Sequence, residues 1–427
     1  VNGRPVRNRD ALQNPERLDA IAEHPVLRAS PAIRASRGPV PAHGGIPDGD
    51  RLRRELQAVC ERVLGVSPIG WSDNLLGFGA DSLAVVNLLL EIDGYAGHPL
   101  PLSALLSAPS VEGLATALSV GAEAMAAQQA GWSGPHVRAV GPDDQEPVCR
   151  FLEEAFPRVK AATWLRLFDH HWSDHGRGFV LLDGNTVVGF VGLIAARRQV
   201  NGEAALVCNV SSWAVHPKYR GWGMALLAPV LQDESLTYTA FTPNPTAWAT
   251  LLAQRFTPLD SHRIVMPPTL QAETLFGPNR PVINFDPVAV RERLTGQQRQ
   301  IFDDHAPYDC LQLTVSDGSD HAYLVVKRRT HRLNTSRLGG LAGVLPVRIP
   351  YSDILHCSAP ELLSRHLEGV KLAILRRQRT AVLVAEARLF PVRPRGVLVP
   401  LRTCYRSPQL AAGDLDGLYS EIVLLPI

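Results

Sequence analysis

Residues 73–90 read Asp73-Asn74-Leu75-Leu76-Gly77-Phe78-Gly79-Ala80-Asp81-Ser82-Leu83-Ala84-Val85-Val86-Asn87-Leu88-Leu89-Leu90, an apolar loop that passes through an acidic residue and a serine into an apolar, helix-forming run. Serine is a favoured helix N-cap, and Asp81 sets a carboxylate beside the positive end of the helix dipole. Capping alone asks for nothing so specific, since Gly-x-Asp-Ser-Leu is expected by chance only roughly 0.02 times in a chain of this length. The flanks supply the setting. Upstream, Asp50 opens a run with Leu52, Leu56, Val59, Cys60 and Val63 on one helical face. Downstream come Val85, Val86, Leu89 and Leu90, a short segment with Leu102, Leu105 and Leu106, and a last helix opened by Ser110. The pattern predicts an all-α, four-helix domain over residues 50–120, with Ser82 at the start of its second long helix.

The motif in this frame resembles the attachment site of acyl and peptidyl carrier proteins. The resemblance implies that Ser82 carries a covalent 4'-phosphopantetheine, placed there by a phosphopantetheinyl transferase. An acyl-activating or assembly-line enzyme would then load its thiol as a thioester. Residues 1–49 contain seven prolines and many arginines and read as a linker. Their opening, Asn2-Gly3-Arg4-Pro5-Val6-Arg7, is faintly similar to the closing tail of adenylate-forming enzymes. That similarity reads as the downstream part of a longer assembly line, and a first residue Val fits either a non-ATG start or a fragment.

An Ala/Gln/Gly-rich spacer, residues 121–135, leads to a second pattern. Strand His136–Val140, a helix over Asp143–Phe156 and another around Trp164–His171 precede two strands joined by Asp183-Gly184-Asn185, a hairpin turn signal. A strand over Ala205–Val215 and a helix over Gly223–Leu231 meet in Val215-His216-Pro217-Lys218-Tyr219-Arg220-Gly221-Trp222-Gly223-Met224-Ala225. A glycine-bearing loop at a helix N-terminus aims several backbone N–H groups one way, which suits an anion. Asn244-x-x-Ala247 and Phe256 follow. The ordered set resembles the GNAT family of N-acetyltransferases over residues 136–268, an α/β (α+β) fold. The resemblance implies acetyl-CoA or another acyl-CoA held between two central strands. Arg220, Gly221, Trp222, Gly223, Met224 and Ala225 would take the pyrophosphate, Val215 would end the strand that pairs with the pantetheine arm, and Asn244 would complete the cofactor site. The chain departs from the family at Leu251, where relatives place Tyr, at Arg255, where they place Gly, and in having no Glu on strand Ala205–Val215. Ser211 on that strand, and His171 within Asp169-His170-His171-Trp172-Ser173-Asp174-His175, are the remaining nominees for proton transfer. The histidine cluster reads as a solvated helix end more readily than as a metal site, so no metal is expected.

Residues 269–427 alternate strands and a helix and read as a second α/β domain, a degenerate GNAT-like one without the glycine loop. Arg328, Arg329 and Arg332 there suit either an anionic acceptor or a solvated face. A net charge of +2 and 20% charged residues give no electrostatic argument for nucleic acid or an anionic membrane. Six cysteines scattered without CxxC spacing read as reduced thiols of a cytoplasmic protein, and no apolar run reaches membrane-spanning length. The chain thus reads as a multidomain acyltransferase moving an acyl group between a pantetheine thioester and a small-molecule acceptor, an amine, in specialised-metabolite or lipid-conjugate biosynthesis. Two alternatives stand beside that reading. One is a polyketide-type loading didomain that acylates the carrier thiol, and the other a non-catalytic carrier with a degenerate docking domain.

Overall fold

The structure is a computed structural model that describes residues 49–78, 82–96, 100, 102–120, 135–200, 202–269, 280–318, 320–333 and 347–426. Residues 1–48 of the expected linker 1–49, residues 121–134 of the expected spacer 121–135, and Gly79–Asp81 of the serine motif lie outside the described residues, while Gly49 already belongs to the first helix.

One compact unit takes in residues 49–75 and 86–127, and a second takes in 76–85 and 128–427. The first is helical, with helices Gly49–Leu64, most of Ser82–Ala96, Leu102–Ser107 and Val111–Val120. Leu52, Leu56, Val59 and Cys60 recur at helical spacing and are the buried face of the first helix. The last is opened as its sequence suggests, the Ser110 Oγ accepting from the Gly113 N–H at 3.1 Å. Gly113 has no room for a side chain, since a Cβ there would lie 2.2 Å from the Ala108 carbonyl oxygen.

In the second unit, β1 (His136–Ala139), β2 (Gly178–Asp183), β3 (Thr186–Val200) and β4 (Glu203–Val215) run antiparallel. After the helix Gly223–Val230, β5 (Thr237–Ala240) joins β4 in parallel. The pattern then recurs. β7 (Val282–Asn284), β8 (Cys310–Ser316), β9 (His321–Leu333) and β10 (Val347–Cys357) are antiparallel, and β11 (Val382–Glu386) lies parallel to β10 beyond helices Pro360–Arg365 and Leu367–Gln378. β6 (Thr257–Met266) and β12 (Val397–Arg406) are exchanged at the centre, β12 sitting between β5 and β6, and β6 between β12 and β11. The order β1-β2-β3-β4-β5-β12-β6-β11-β10-β9-β8-β7 reads identically from either end once each of β1–β6 is matched with the strand six later. Among the described residues, the halves on either side of residue 268 therefore share one sheet.

Side-chain alternation along β9 shows how the sheet is covered. Tyr323 and Val325 enter one apolar cluster with Phe190, Trp172 and Phe302, while Ala322, Leu324 and Val326 enter another with Ile264, Leu363 and Ile374. A strand apolar on both faces is one buried on both faces. The same alternation divides the arginine run, since Lys327 is buried, Arg328 exposed and Arg329 half-buried; the Arg332 side chain lies outside the described residues. The helix expected over Trp164–His171 is two short turns, Ala161–Trp164 and Arg166–Asp169. Tertiary packing ends it: the Trp172 indole donates to the Asp304 carbonyl at 3.1 Å and stacks on His305, and His170 is extended to bring it there.

Arg255, standing where glycine was expected, has a φ of 64°. It follows the helix Pro245–Ala253 in a Schellman ending, with the Phe256 N–H bonded to the Leu251 carbonyl and the Arg255 N–H to that of Leu252. The left-handed conformation costs a residue with a Cβ roughly 1–2 kcal/mol. Arg255 is exposed. Arg255→Gly is therefore expected to stabilise the protein by about 0.5–1 kcal/mol after the glycine's own unfolded-state entropy is subtracted, read as a rise in thermal midpoint.

Candidate functional site

β4 and β5 are paired only over Val207–Asn209 with Thr237–Thr239. Beyond Asn209, β4 continues along β3 to Val215, whereas β5 ends at Ala240 and the chain leaves through Phe241–Asn244. Two parallel strands thus part, and the edge of β4 facing the gap carries backbone groups that want partners. The parting coincides with an irregularity. The β3–β4 register shifts beside Phe190–Gly192, and Ser212 has a φ of 53°, a conformation non-glycine residues hold at a cost of order 1–3 kcal/mol. A cleft of about 910 Å³ opens there, with Ser211, Ser212, Thr242, Asn244 and Leu251 in its wall. An extended ligand bearing amide groups could add to the β4 edge as a strand would.

The sequence nominees fall into three groups. Ser211 is buried in the cleft wall, its Oγ 3.1 Å from that of Ser212. Asn244 also lines the cleft, but its side chain caps the helix Pro245–Ala253, accepting from the Ala247 N–H at 2.9 Å. The loop residues stand apart. Val215 ends β4, a 3-10 turn over Pro217–Trp222 leads into helix Gly223–Val230, and none of Arg220–Ala225 lines the cleft. Arg220 is exposed, whereas Trp222, Met224 and Ala225 are buried. The loop is pinned to the Asp183–Asn185 hairpin by the Tyr219 hydroxyl, which donates to the Asp183 carboxylate. His171 is exposed and lines neither this cleft nor the second one described below. Its neighbour His170 is buried 3.0 Å from Arg177, and burial, with that cation, pushes it down to about 3. Ser82 opens the helix Ser82–Ala96. Among the described residues no three His, Cys, Asp or Glu side chains gather as a metal site.

One cleft residue escaped the sequence reading. Glu421 opens the short helix Glu421–Leu424, is 2% exposed, and lines the cleft. Its Oε1 accepts from the Thr242 hydroxyl at 2.5 Å, and its backbone N–H donates to the Asn209 Oδ1 at 3.3 Å. Asn209 in turn donates to the Thr239 carbonyl at 3.2 Å, tying β4, β5 and Glu421 together where the strands part. The Glu421 Oε2 is buried without a hydrogen-bond partner. Burial pushes this carboxyl above its ordinary range, against the Thr242 hydrogen bond and the charge of Arg329. The signal in the sequence is a lone acid within the apolar run Ile422-Val423-Leu424-Leu425 and its approach.

Residues 54–118 match the family model described as a phosphopantetheine attachment site, and residues 136–236 match that of an acetyltransferase (GNAT) domain. The chain joins a carrier domain to a GNAT domain. Over 72 residues it is 35% identical to tyrocidine synthase 2 of Brevibacillus parabrevis, a stretch that is 17% of this chain and 2% of that synthase. Among solved structures it is similar to a probable N-acyltransferase from Enterococcus faecalis V583, at 11% identity and TM-score 0.40, covering 64% of this chain and 72% of that one. Eis1 from Mycobacterium abscessus aligns at 12% identity and TM-score 0.32, covering 64% and 73% of the two chains. Saccharomyces cerevisiae N-myristoyltransferase aligns at 8% identity and TM-score 0.36, covering 69% and 89%.

Ala205–Val215, the part of β4 without an acid, thus has one beside it in space, from residue 421, and Leu251 stands in the cleft wall where Tyr was expected. A second cleft, of about 790 Å³, shares Thr242, Pro243, Arg263 and Arg329 with the first. Asp416 lies in its wall, accepting from Arg198 Nη2 at 2.9 Å and lying 2.8 Å from His356 Nδ1. No helix among the described residues is long and apolar enough to cross a membrane.

Proposed function

We propose that the protein is a carrier-fused GNAT acyltransferase that moves an acyl group between a pantetheine thioester, on Ser82 or on CoA, and a small-molecule amine in specialised-metabolite or lipid-conjugate biosynthesis. The parting of β4 from β5 at Asn209, with Ser212 held left-handed in the gap, carries the reading. When bound, the pantetheine supplies an acyl thioester, an activated carbonyl with a good leaving group. The chain's own residues do the rest. The open edge of β4 pairs with the amides of the arm and fixes the carbonyl in the cleft. The loop Arg220–Ala225, at the N-terminus of the helix Gly223–Val230, takes the pyrophosphate of CoA through backbone N–H groups. A thiol of ordinary acidity, with a pKa of about 8.5, leaves as thiolate near neutral pH with little help, so Leu251 in place of an acid costs little.

The carrier contributes Ser82 as the site of 4'-phosphopantetheine, in a domain read as four helices. A phosphopantetheinyl transferase and an assembly-line loading enzyme are its expected partners. Residues 269–427 act as a degenerate GNAT-like repeat, a reading supported by the palindromic strand order.

Gly223→Val tests the loop. Gly223 is buried at the first turn of its helix, and a branched side chain there stands between the N–H groups and a phosphate. Calorimetry is expected to show CoA affinity reduced about 30-fold or more, roughly 2 kcal/mol, with the circular dichroism spectrum retained. Equal affinities in folded variant and wild type would remove the loop from the site.

A further inference from the structure

We propose that Glu421 is the general base of the reaction, taking the proton from an amine acceptor as its nitrogen attacks the thioester carbon. The assignment rests on the acyl-transfer reading and names the group that takes the acceptor's proton. Three observations converge on one carboxylate. It lines the cleft where β4 and β5 part. One of its oxygens is fixed by Thr242 and its backbone by Asn209, so the side chain has a set direction. The other oxygen is buried with no hydrogen-bond partner, an arrangement whose desolvation is unrelieved until a donor arrives. An ammonium or amine N–H is such a donor.

The step balances with the groups named. The C–N bond forms as the C–S bond breaks, one amine proton passes to the free Glu421 oxygen, and the thiolate departs and is protonated by solvent. Regeneration returns the proton from Glu421 to water. Arg329 from β9, which also pairs with Asp353 at 2.9 Å, is the cation acting on Glu421. Other charged or titratable groups in the cleft wall are Arg158, Arg263, His331, Arg348 and Tyr351. Burial sets the acid above the ordinary carboxylate range, which brings its working limb closer to neutral pH.

The test uses the whole chain, acyl-CoA donors and a panel of primary amines, followed by thiol release. Glu421→Gln keeps the shape and an oxygen for Thr242, and kcat/KM is expected to fall by about 10²–10³-fold with CoA affinity unchanged by calorimetry. Loss of the ascending pH limb accompanies it. Thr242→Val is the second arm and covers the case of a misfolded Gln variant. Its hydroxyl favours the charged carboxylate, so removing it is expected to move the ascending limb to higher pH while turnover is partly kept. Wild-type turnover retained within threefold in a folded Glu421→Gln, or an unmoved limb in Thr242→Val, overturns the assignment and leaves acyl transfer standing. Wild-type protein that binds acyl-CoA yet acylates no amine overturns the acyl-transfer reading and the base together.

Discussion

Incubated with CoA and a phosphopantetheinyl transferase, the wild-type protein is expected to gain one phosphopantetheine in its intact mass, and Ser82→Ala none. The contrast is all-or-none because the transferase needs a hydroxyl at the head of this helix, and alanine offers no nucleophile. Ser82 falls inside the matched segment 54–118 and opens the helix Ser82–Ala96. Ser110→Ala is the control, since Ser110 also precedes a helix and caps it, yet lacks the Asp-Ser-Leu setting. It should lose about 1 kcal/mol of stability and still be modified. A modified Ser82→Ala, or an unmodified wild type, would falsify the carrier assignment.

Asp416→Asn is expected to destabilise the second unit by about 3 kcal/mol, read from the denaturant midpoint. The carboxylate faces a guanidinium, that of Arg198, whose side chain is 5% exposed, and it also holds His356 Nδ1. The amide removes the negative charge and leaves the Arg198 cation buried opposite a neutral group. Burial pushes Asp416 up, but the charge of Arg198 and the hydrogen bond to His356 outweigh it and hold the acid below its ordinary range. A folded pKa below the unfolded one means that the stabilisation is complete at neutral pH and is lost as pH falls below about 4. The gap between wild type and variant should therefore narrow in acid. A constant gap from neutral pH to pH 3 would show that packing rather than charge accounts for the loss.

The helical face of Leu52, Leu56, Val59 and Cys60, the hairpin at Asp183–Asn185 and the strand over β4 were legible because each is a local pattern with its own period or turn chemistry. Arg255 was legible as an anomaly, and its positive φ supplies the reason glycine was expected there. Other features have no local signature. Trp172 draws the chain out of a helix by packing against His305, 133 positions away, and no window of sequence contains both. The site divides in the same way. Ser211 and Asn244 were nominated from motifs on the elements that line the cleft, whereas Glu421 reaches it from the far side of the sequence. Nomination of His171 came from the histidine cluster around it, and the fold leaves it exposed and outside both clefts.

The exchange of β6 and β12 has a consequence for the order in which the molecule is made. Ala240 of β5 pairs with Cys404 of β12, so the neighbour that β5 requires is synthesised after nearly all the rest of the described sheet. The helices between Gly49 and Val120 come from one early stretch of chain and can close early, whereas the sheet's centre waits on pairings of longer sequence separation, which form slowly. On a ribosome these helices would be complete while β5 still exposes an open edge. Chains interrupted before β12 should therefore lack Glu421 and aggregate through that edge, so that losses at the carboxyl end act on the sheet's centre as well as on the cleft.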